Sequence, residues 1–204
     1  MKYAHASIET FLNDLKDKKA VPGGGSVAAL TGALACGLLS MVCAYSKNDE
    51  KNGGFLRLIE KRAVKALEKL KKLMQEDIDS YEAFSLMMKK KDKNRSQIKK
   101  AILKILKPPL EMMRLMPPLM EDVEEAAKFA KLNIVSDAAA SASLVIACFE
   151  SSAVSVKINL KALNDKKLTC AMLKEISRCH KKLCYHKKRV ISSTDKRLKL
   201  KRTF

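Results

Sequence analysis

The 204-residue sequence predicts an all-α, single-domain helical bundle. Three observations carry that expectation. Apolar residues make up 47% of the chain, yet aromatics are only 5% and Trp is absent. Ala, Leu, Lys and Met dominate, and they form helices well and fill strands poorly. Apolar residues also recur at steps of three and four, with no sustained strand-like alternation. Finally, residues 27–44 hold no charged side chain and residues 138–156 hold only Glu150, and both stretches are rich in small residues. Such stretches suit two central helices of a bundle, where small side chains let backbones approach closely.

The elements follow in order. Ser7 is placed to cap a helix over 8–18, with Ile8, Phe11, Leu12 and Leu15 as its apolar stripe. A turn, Val21-Pro22-Gly23-Gly24-Gly25-Ser26, leads into the first small-residue helix at 27–44. Eighteen uncharged residues reach the threshold for a membrane span. Their Ala, Gly, Ser, Thr and Cys content is weakly hydrophobic, however, and favours a buried core helix over a membrane one.

Asn52-Gly53-Gly54 breaks the chain before a long helix. Its stripe runs Phe55, Ile59, Ala63, Ala66, Leu70, Met74, Asp77, Tyr81, Phe84, Met88. Asp77 stands out on this apolar face. A carboxylate there costs several kcal/mol unless it is paired, hydrogen-bonded or protonated. It is the best catalytic candidate that periodicity supplies, and an Asp satisfied by a Lys or by helix-end amides is the structural alternative.

After a charged connector at 89–96, helices are expected at 97–106 and 119–132. Pro108-Pro109 and Pro117-Pro118 should begin or kink helices between them. A turn at 133–137 ends in a Ser136-Asp137 cap, the second small-residue helix reaches 163, and a last helix spans 169–190. Residues 1–190 then form the domain and 191–204 a basic tail.

The charge is unusual, with 41 Lys and Arg against 22 Asp and Glu, a net +19. Residues 178–204 hold eleven of the cations and one acid, a net +10. Without aromatic stacking platforms or a recognised reading motif, this points to a basic helix end rather than a nucleic-acid arm. Cys179, His180, Cys184 and His186 do not match zinc-ligand spacing, so no metal is expected. Residues 1–19 lack a signal-type apolar segment, and the six cysteines read as free thiols, so a cytoplasmic chain is expected.

Gly23-Gly24-Gly25-Ser26 opening a helix is a familiar kind of anion site, because exposed amides and the positive helix terminus favour carboxylate or phosphate. No Gly-Lys-Ser/Thr follows and no strand precedes, which excludes a P-loop and a dinucleotide fingerprint. The fuller run, Pro22-Gly23-Gly24-Gly25-Ser26-Val27-Ala28-Ala29-Leu30 continuing Gly32-Ala33-Leu34-Ala35 and ending Met41-Val42, closely resembles the opening motif of the cyclodeaminase/cyclohydrolase family of folate one-carbon metabolism. Asn133 with Ser136-Asp137 looks like that family's second motif, and residues 156–160, Val-Lys-Ile-Asn-Leu, like the close of its third. Asp77 and Tyr81 resemble its acidic helix, and Pro109-Leu110 its helix-opening Pro-Leu. The resemblance covers roughly residues 5–190. Departures are Ala130-Lys131, Ser155, Lys90-Lys91-Asp92 and Asn48-Asp49, where the family usually has Gly-Asn, Asn, Leu-Pro-Lys and Gly-Lys.

The resemblance implies an all-helical subunit that forms a homodimer or higher oligomer, with a folate, possibly polyglutamylated, in clefts near the subunit contact. The implied reaction is cyclisation of 5-formiminotetrahydrofolate to 5,10-methenyltetrahydrofolate with loss of ammonia. The same-site alternative is methenyltetrahydrofolate cyclohydrolase, and a non-catalytic folate-binding or structural bundle is the alternative of another class. No cofactor beyond the folate substrate is implied, and the resemblance leaves open whether a formiminotransferase partner exists as a separate chain. Asp77 and Asp137 would supply acid/base and pterin-anchoring roles. Pro22, Gly23, Gly24, Gly25, Ser26, Tyr81, Asn133, Ser136 and Asn159 would bind or orient the substrate.

Overall fold

The computed structural model describes residues 2–48, 51–92 and 94–200. Asp49 and residues 201–204, the end of the expected basic tail, lie outside that set. Among the described residues the chain is helical throughout: α1 Ile8–Lys16, α2 Gly24–Ser46, α3 Gly53–Lys89, α4 Arg95–Phe129, α5 Val135–Leu163 and α6 Lys166–Arg197. Two 3-10 turns, Tyr3–His5 and Leu132–Ile134, complete it. Ser7 caps α1 as expected, its hydroxyl accepting from the Thr10 amide at 3.0 Å.

Helices α2 to α5 run alternately up and down. Lys47 pairs with Glu60 and Gly25 meets Asp77, so α2 and α3 are antiparallel. Arg62–Asp122 and Lys69–Glu111 set α3 against α4, and Asn159 reaches Ile105 across the α4–α5 hairpin. The small-residue helices α2 and α5 lie side by side at the centre, as expected. The Ser141 hydroxyl donates to the Ala35 carbonyl at 2.8 Å, and a Cβ on Gly32 would meet Cys148 Sγ at 2.8 Å. Leu39, Leu56, Leu70, Met112, Met116 and Phe149 fill the space between layers and are fully buried.

Two differences from the sequence reading have clear causes. First, α4 is one helix through both proline pairs rather than two helices punctuated by them. Each proline lacks an amide and strands the carbonyl four residues earlier. The Asn159 side-chain amide donates to the Ile105 carbonyl, which Pro109 strands, at 3.0 Å. Packing against α3, α5 and α6 and the burial of Pro108 and Pro109 hold the rest straight enough to continue. Second, α6 runs past the expected end at Val190 to Arg197. Ion pairs latch it to α4: Arg114 of α4 pairs with Glu175, while Lys182 and Arg189 of α6 pair with Glu121 and Glu124. The Arg197 guanidinium donates to the Ala127 and Ala130 carbonyls, capping the C-terminus of α4. Part of the C-terminal charge therefore closes the bundle.

The α3–α4 hairpin stands clear of the core at its tip. The last buried residue of α3 is Ile78 and the first of α4 is Ile102. The remaining eleven residues of α3 extend roughly 16 Å farther, carrying Tyr81, Phe84, Leu86 and Met88.

Candidate functional site

Helix α2 begins at Gly24, three residues before the expected start, so Gly24, Gly25 and Ser26 form its first turn. Glycine is a poor helix former, and the sequence reading stopped where better formers begin. What stabilises this turn is supplied from another helix. Gly23 provides no side-chain cap, whereas the Asp77 carboxylate of α3 sits against the turn. The Ser26 hydroxyl donates to Asp77 Oδ2 at 3.3 Å, and the Ser26 amide donates to the same carboxylate. The anion at this helix N-terminus is therefore the protein's own. Ser26 is fully buried and is not a helix cap.

Gly25 leaves the space in which the Asp77 carboxylate sits. A Cβ built on it would stand 2.5 Å from Asp77 Oδ2 and 2.6 Å from Cγ, well inside the ~3.5–4.0 Å of an ordinary heavy-atom contact. Gly23 and Gly24 have nothing within 4 Å of such an atom. Burial pushes the Asp77 carboxyl above its ordinary pKa, and the two Ser26 bonds oppose that rise without cancelling it. Asp77 keeps partial solvent access. The result is a carboxyl that holds its proton more firmly than a surface Asp and can still be reached.

Tyr81, one turn beyond Asp77, is 45% exposed and tilts against Phe84 at 6.2 Å between ring centres. Pro22 is buried behind the turn. These residues and Gly23 to Ser26 gather at one end of the bundle. Asn159 belongs to the same end, and its amide nitrogen donates to the Ile105 carbonyl at 3.0 Å.

Asn133, Ser136 and Asp137 form a second group at the start of α5, where Asn133 and Ser136 are exposed and Asp137 is partly exposed. The contacts Ser46–Lys131 and Ala35–Ser141 put Asp137 level with the C-terminal half of α2. Asp77 is level with Gly25 at the other end. Along the axis the two carboxylates are roughly 20 Å apart. The expected site residues therefore fall into two groups within one chain. Two clefts of about 780 Å³ along the α5–α6 seam contain neither group.

One feature of the surface was missed from sequence. Val27, Thr31, Leu34, Leu38, Met41 and Tyr45 line the outer side of α2, and Leu34 and Tyr45 are 54% and 56% exposed. Beside them α5 presents Ala140, Leu144, Ala147, Ser151, Val154 and Ile158, none charged. This two-helix face runs between the Asp77 end and the Asp137 end. Its signal lay in the all-round apolarity of both helices, which reads as burial on every side. Both are long and apolar enough to cross a membrane, and each buries one side in the core. His180 and His186 go to different carboxylates, Glu150 and Glu124, and all six cysteines are free.

The sequence profile of the formiminotransferase-cyclodeaminase family matches residues 7–178. A methenyltetrahydrofolate cyclohydrolase from Methylorubrum extorquens is 30% identical over 185 residues, covering 83% of this chain and 86% of the relative. The formimidoyltransferase-cyclodeaminase of Sus scrofa is 26% identical over 183 residues, covering 85% of this chain but only 34% of that longer protein. The crystal structure of formiminotetrahydrofolate cyclodeaminase from Thermotoga maritima superposes with a TM-score of 0.89 at 26% identity, covering 96% of this chain and 99% of the other. Opening motif, helix order and whole-chain superposition agree, and the chain belongs to the formiminotransferase-cyclodeaminase family of folate cyclodeaminase and cyclohydrolase enzymes.

Proposed function

We propose that this protein is a cytoplasmic formiminotetrahydrofolate cyclodeaminase that works as a homodimer. The observation that carries the proposal is the Asp77 carboxyl, held at the N-terminus of α2 with a raised pKa and partial access. In the reaction, N10 attacks the formimino carbon on N5 to give a tetrahedral adduct. N10 then loses its proton, the former imino nitrogen gains protons, and ammonia departs to leave the methenyl bridge. Each proton movement suits a carboxyl whose pKa lies nearer neutrality than a surface Asp. Tyr81 offers a ring face for a flat heterocycle, and Asn133, Ser136 and Asp137 offer polar anchors.

The separation of the two groups supports a shared site. A two-fold axis perpendicular to α2 and α5 would pack the apolar two-helix faces of two copies against each other. It would also bring the Asp77 end of one copy to the Asp137 end of the other, so that one substrate spans both.

Turnover decides between this reaction and its relative. With 5-formiminotetrahydrofolate the methenyl absorbance should rise faster than in the uncatalysed control. The identity to the Methylorubrum extorquens cyclohydrolase favours a second reading, water addition to the methenyl bridge at the same site, for which that absorbance should fall. No acceleration of either would remove the enzymatic reading and leave a folate-binding or structural bundle. The shared site has its own test. Asp77→Ala and Asp137→Ala should each be inactive alone, while dimers re-formed from an equal mixture should recover about a quarter of wild-type activity, because half of them are mixed and each has one intact site. Absence of recovery would place both carboxylates in separate roles within one chain.

A further inference from the structure

The run Gly23 to Ser26 reads in sequence as a cradle for the substrate, but the structure gives Ser26 another task. Its hydroxyl is fully buried, behind the exposed Gly24 and the partly exposed Gly23, with Asp77 as its partner. Hydroxyl and amide of one residue converge on one carboxylate, and Gly25 leaves the gap that lets the carboxylate come so close. A buried serine that meets the acid/base group from behind sets how that group is held.

We infer that Ser26 is a positioning residue for Asp77, fixing the carboxyl's orientation and its readiness to give up a proton, and that it makes no contact with substrate. This rests on the folate reading above only for Asp77's part in turnover. Burial and the two Ser26 bonds account for the behaviour of the Asp77 carboxyl, with no charged side chain of α2, α3, α4 or α5 contributing. On its own helix the neighbours are the Ser80 hydroxyl, which donates to the Asp77 carbonyl at 3.1 Å, and Tyr81 one turn on. From α2, Gly25 and Ser26 face it. Asp137 is at the other end of the bundle.

The sign follows from that short inventory. Both Ser26 bonds favour the ionised carboxylate, while burial favours the protonated form. Deleting the hydroxyl leaves the amide bond and burial, so the carboxyl should hold its proton to higher pH. This direction does not depend on whether Asp77 serves as acid or base. In either case the limb of the pH–rate profile that reports Asp77 moves up, by about one pH unit for one hydrogen bond to a charged group.

The test uses Ser26→Ala and Ser26→Thr in the full-length protein, with two readouts. The first is a carboxyl carbon-13 NMR titration of Asp77, assigned by its loss in Asp77→Asn, and it needs no turnover. Ser26→Ala should raise the titration midpoint by about one unit, and Ser26→Thr, which keeps the hydroxyl, should return it toward wild type. The second is the pH profile of kcat/KM with whichever folate is turned over, where the same limb should move by the same amount. An unmoved midpoint in Ser26→Ala overturns the inference. So does a rise in KM with an unshifted profile, the mark of a lost substrate contact. If neither folate is turned over, the proposed function fails while the NMR titration still decides whether Ser26 tunes Asp77.

Discussion

Gly25→Ala tests the geometry on which the site depends, and Gly24→Ala is its matched control. In a helix, Gly to Ala ordinarily stabilises by about 0.5–1 kcal/mol, because alanine loses less backbone freedom on folding. Gly24 has open space where a Cβ would go, so its variant should gain up to that amount. At Gly25 the new methyl would lie 2.6 Å from the Asp77 Cγ, about 1 Å inside normal contact. Either α2 and α3 separate, at an overpacking cost of about 1–3 kcal/mol, or the carboxylate swings away and gives up its Ser26 bonds. After the alanine gain, Gly25→Ala should be less stable than Gly24→Ala by about 1–3 kcal/mol. At about 2–4 °C per kcal/mol for a chain of this size, the gap is roughly 2–12 °C in Tm, measurable by scanning calorimetry. Combining Gly25→Ala with Asp77→Ala should return most of that loss, since the two sites share one contact. Equal Tm values for the two glycine variants would refute the close approach of Asp77 to this turn.

The remaining predictions concern single side chains. Because Asp77's pKa is raised on folding, its ionised form opposes folding as pH rises through the usual Asp value, so Asp77→Asn should abolish turnover yet unfold no more easily at neutral pH, by chemical denaturation. Asn159→Ala strands the Ile105 carbonyl a second time and should cost about 1–3 kcal/mol, with little change in KM. For Glu124, burial alone would raise the carboxyl, but His186 and Arg189 hold it below the ordinary carboxylate range. Its stabilisation should be complete above the unfolded value near pH ~4.3 and disappear as pH falls below it, a loss that Glu124→Gln should remove from the acid denaturation curve.

Much of the fold was legible because helical periodicity is a local property. Ser7, the Asn52-Gly53-Gly54 break, the long stripe from Phe55 and the two small-residue helices all act within a turn or two of themselves. The α4 prolines misled for the opposite reason. Whether a stranded carbonyl breaks a helix depends on who else can donate to it, and Asn159 is 54 residues away. The end of α6 was hidden likewise, since the contact made beyond Val190 is Arg197 on the Ala127 and Ala130 carbonyls at the C-terminus of α4.

For the site, the sequence by itself determined that a carboxylate stands on an apolar stripe and that a glycine-rich helix start waits for an anion. Both signals are local, one of periodicity and one of backbone chemistry. Only the tertiary structure decided that they answer each other, Asp77 being the anion at the turn, with Gly25 making the space and Ser26 the bonds. It also decided that Asp137 stands at the far end of the same bundle, with an uncharged two-helix face between. Pairing across antiparallel helices sets which distant residues meet, and no spacing along the chain encodes that register.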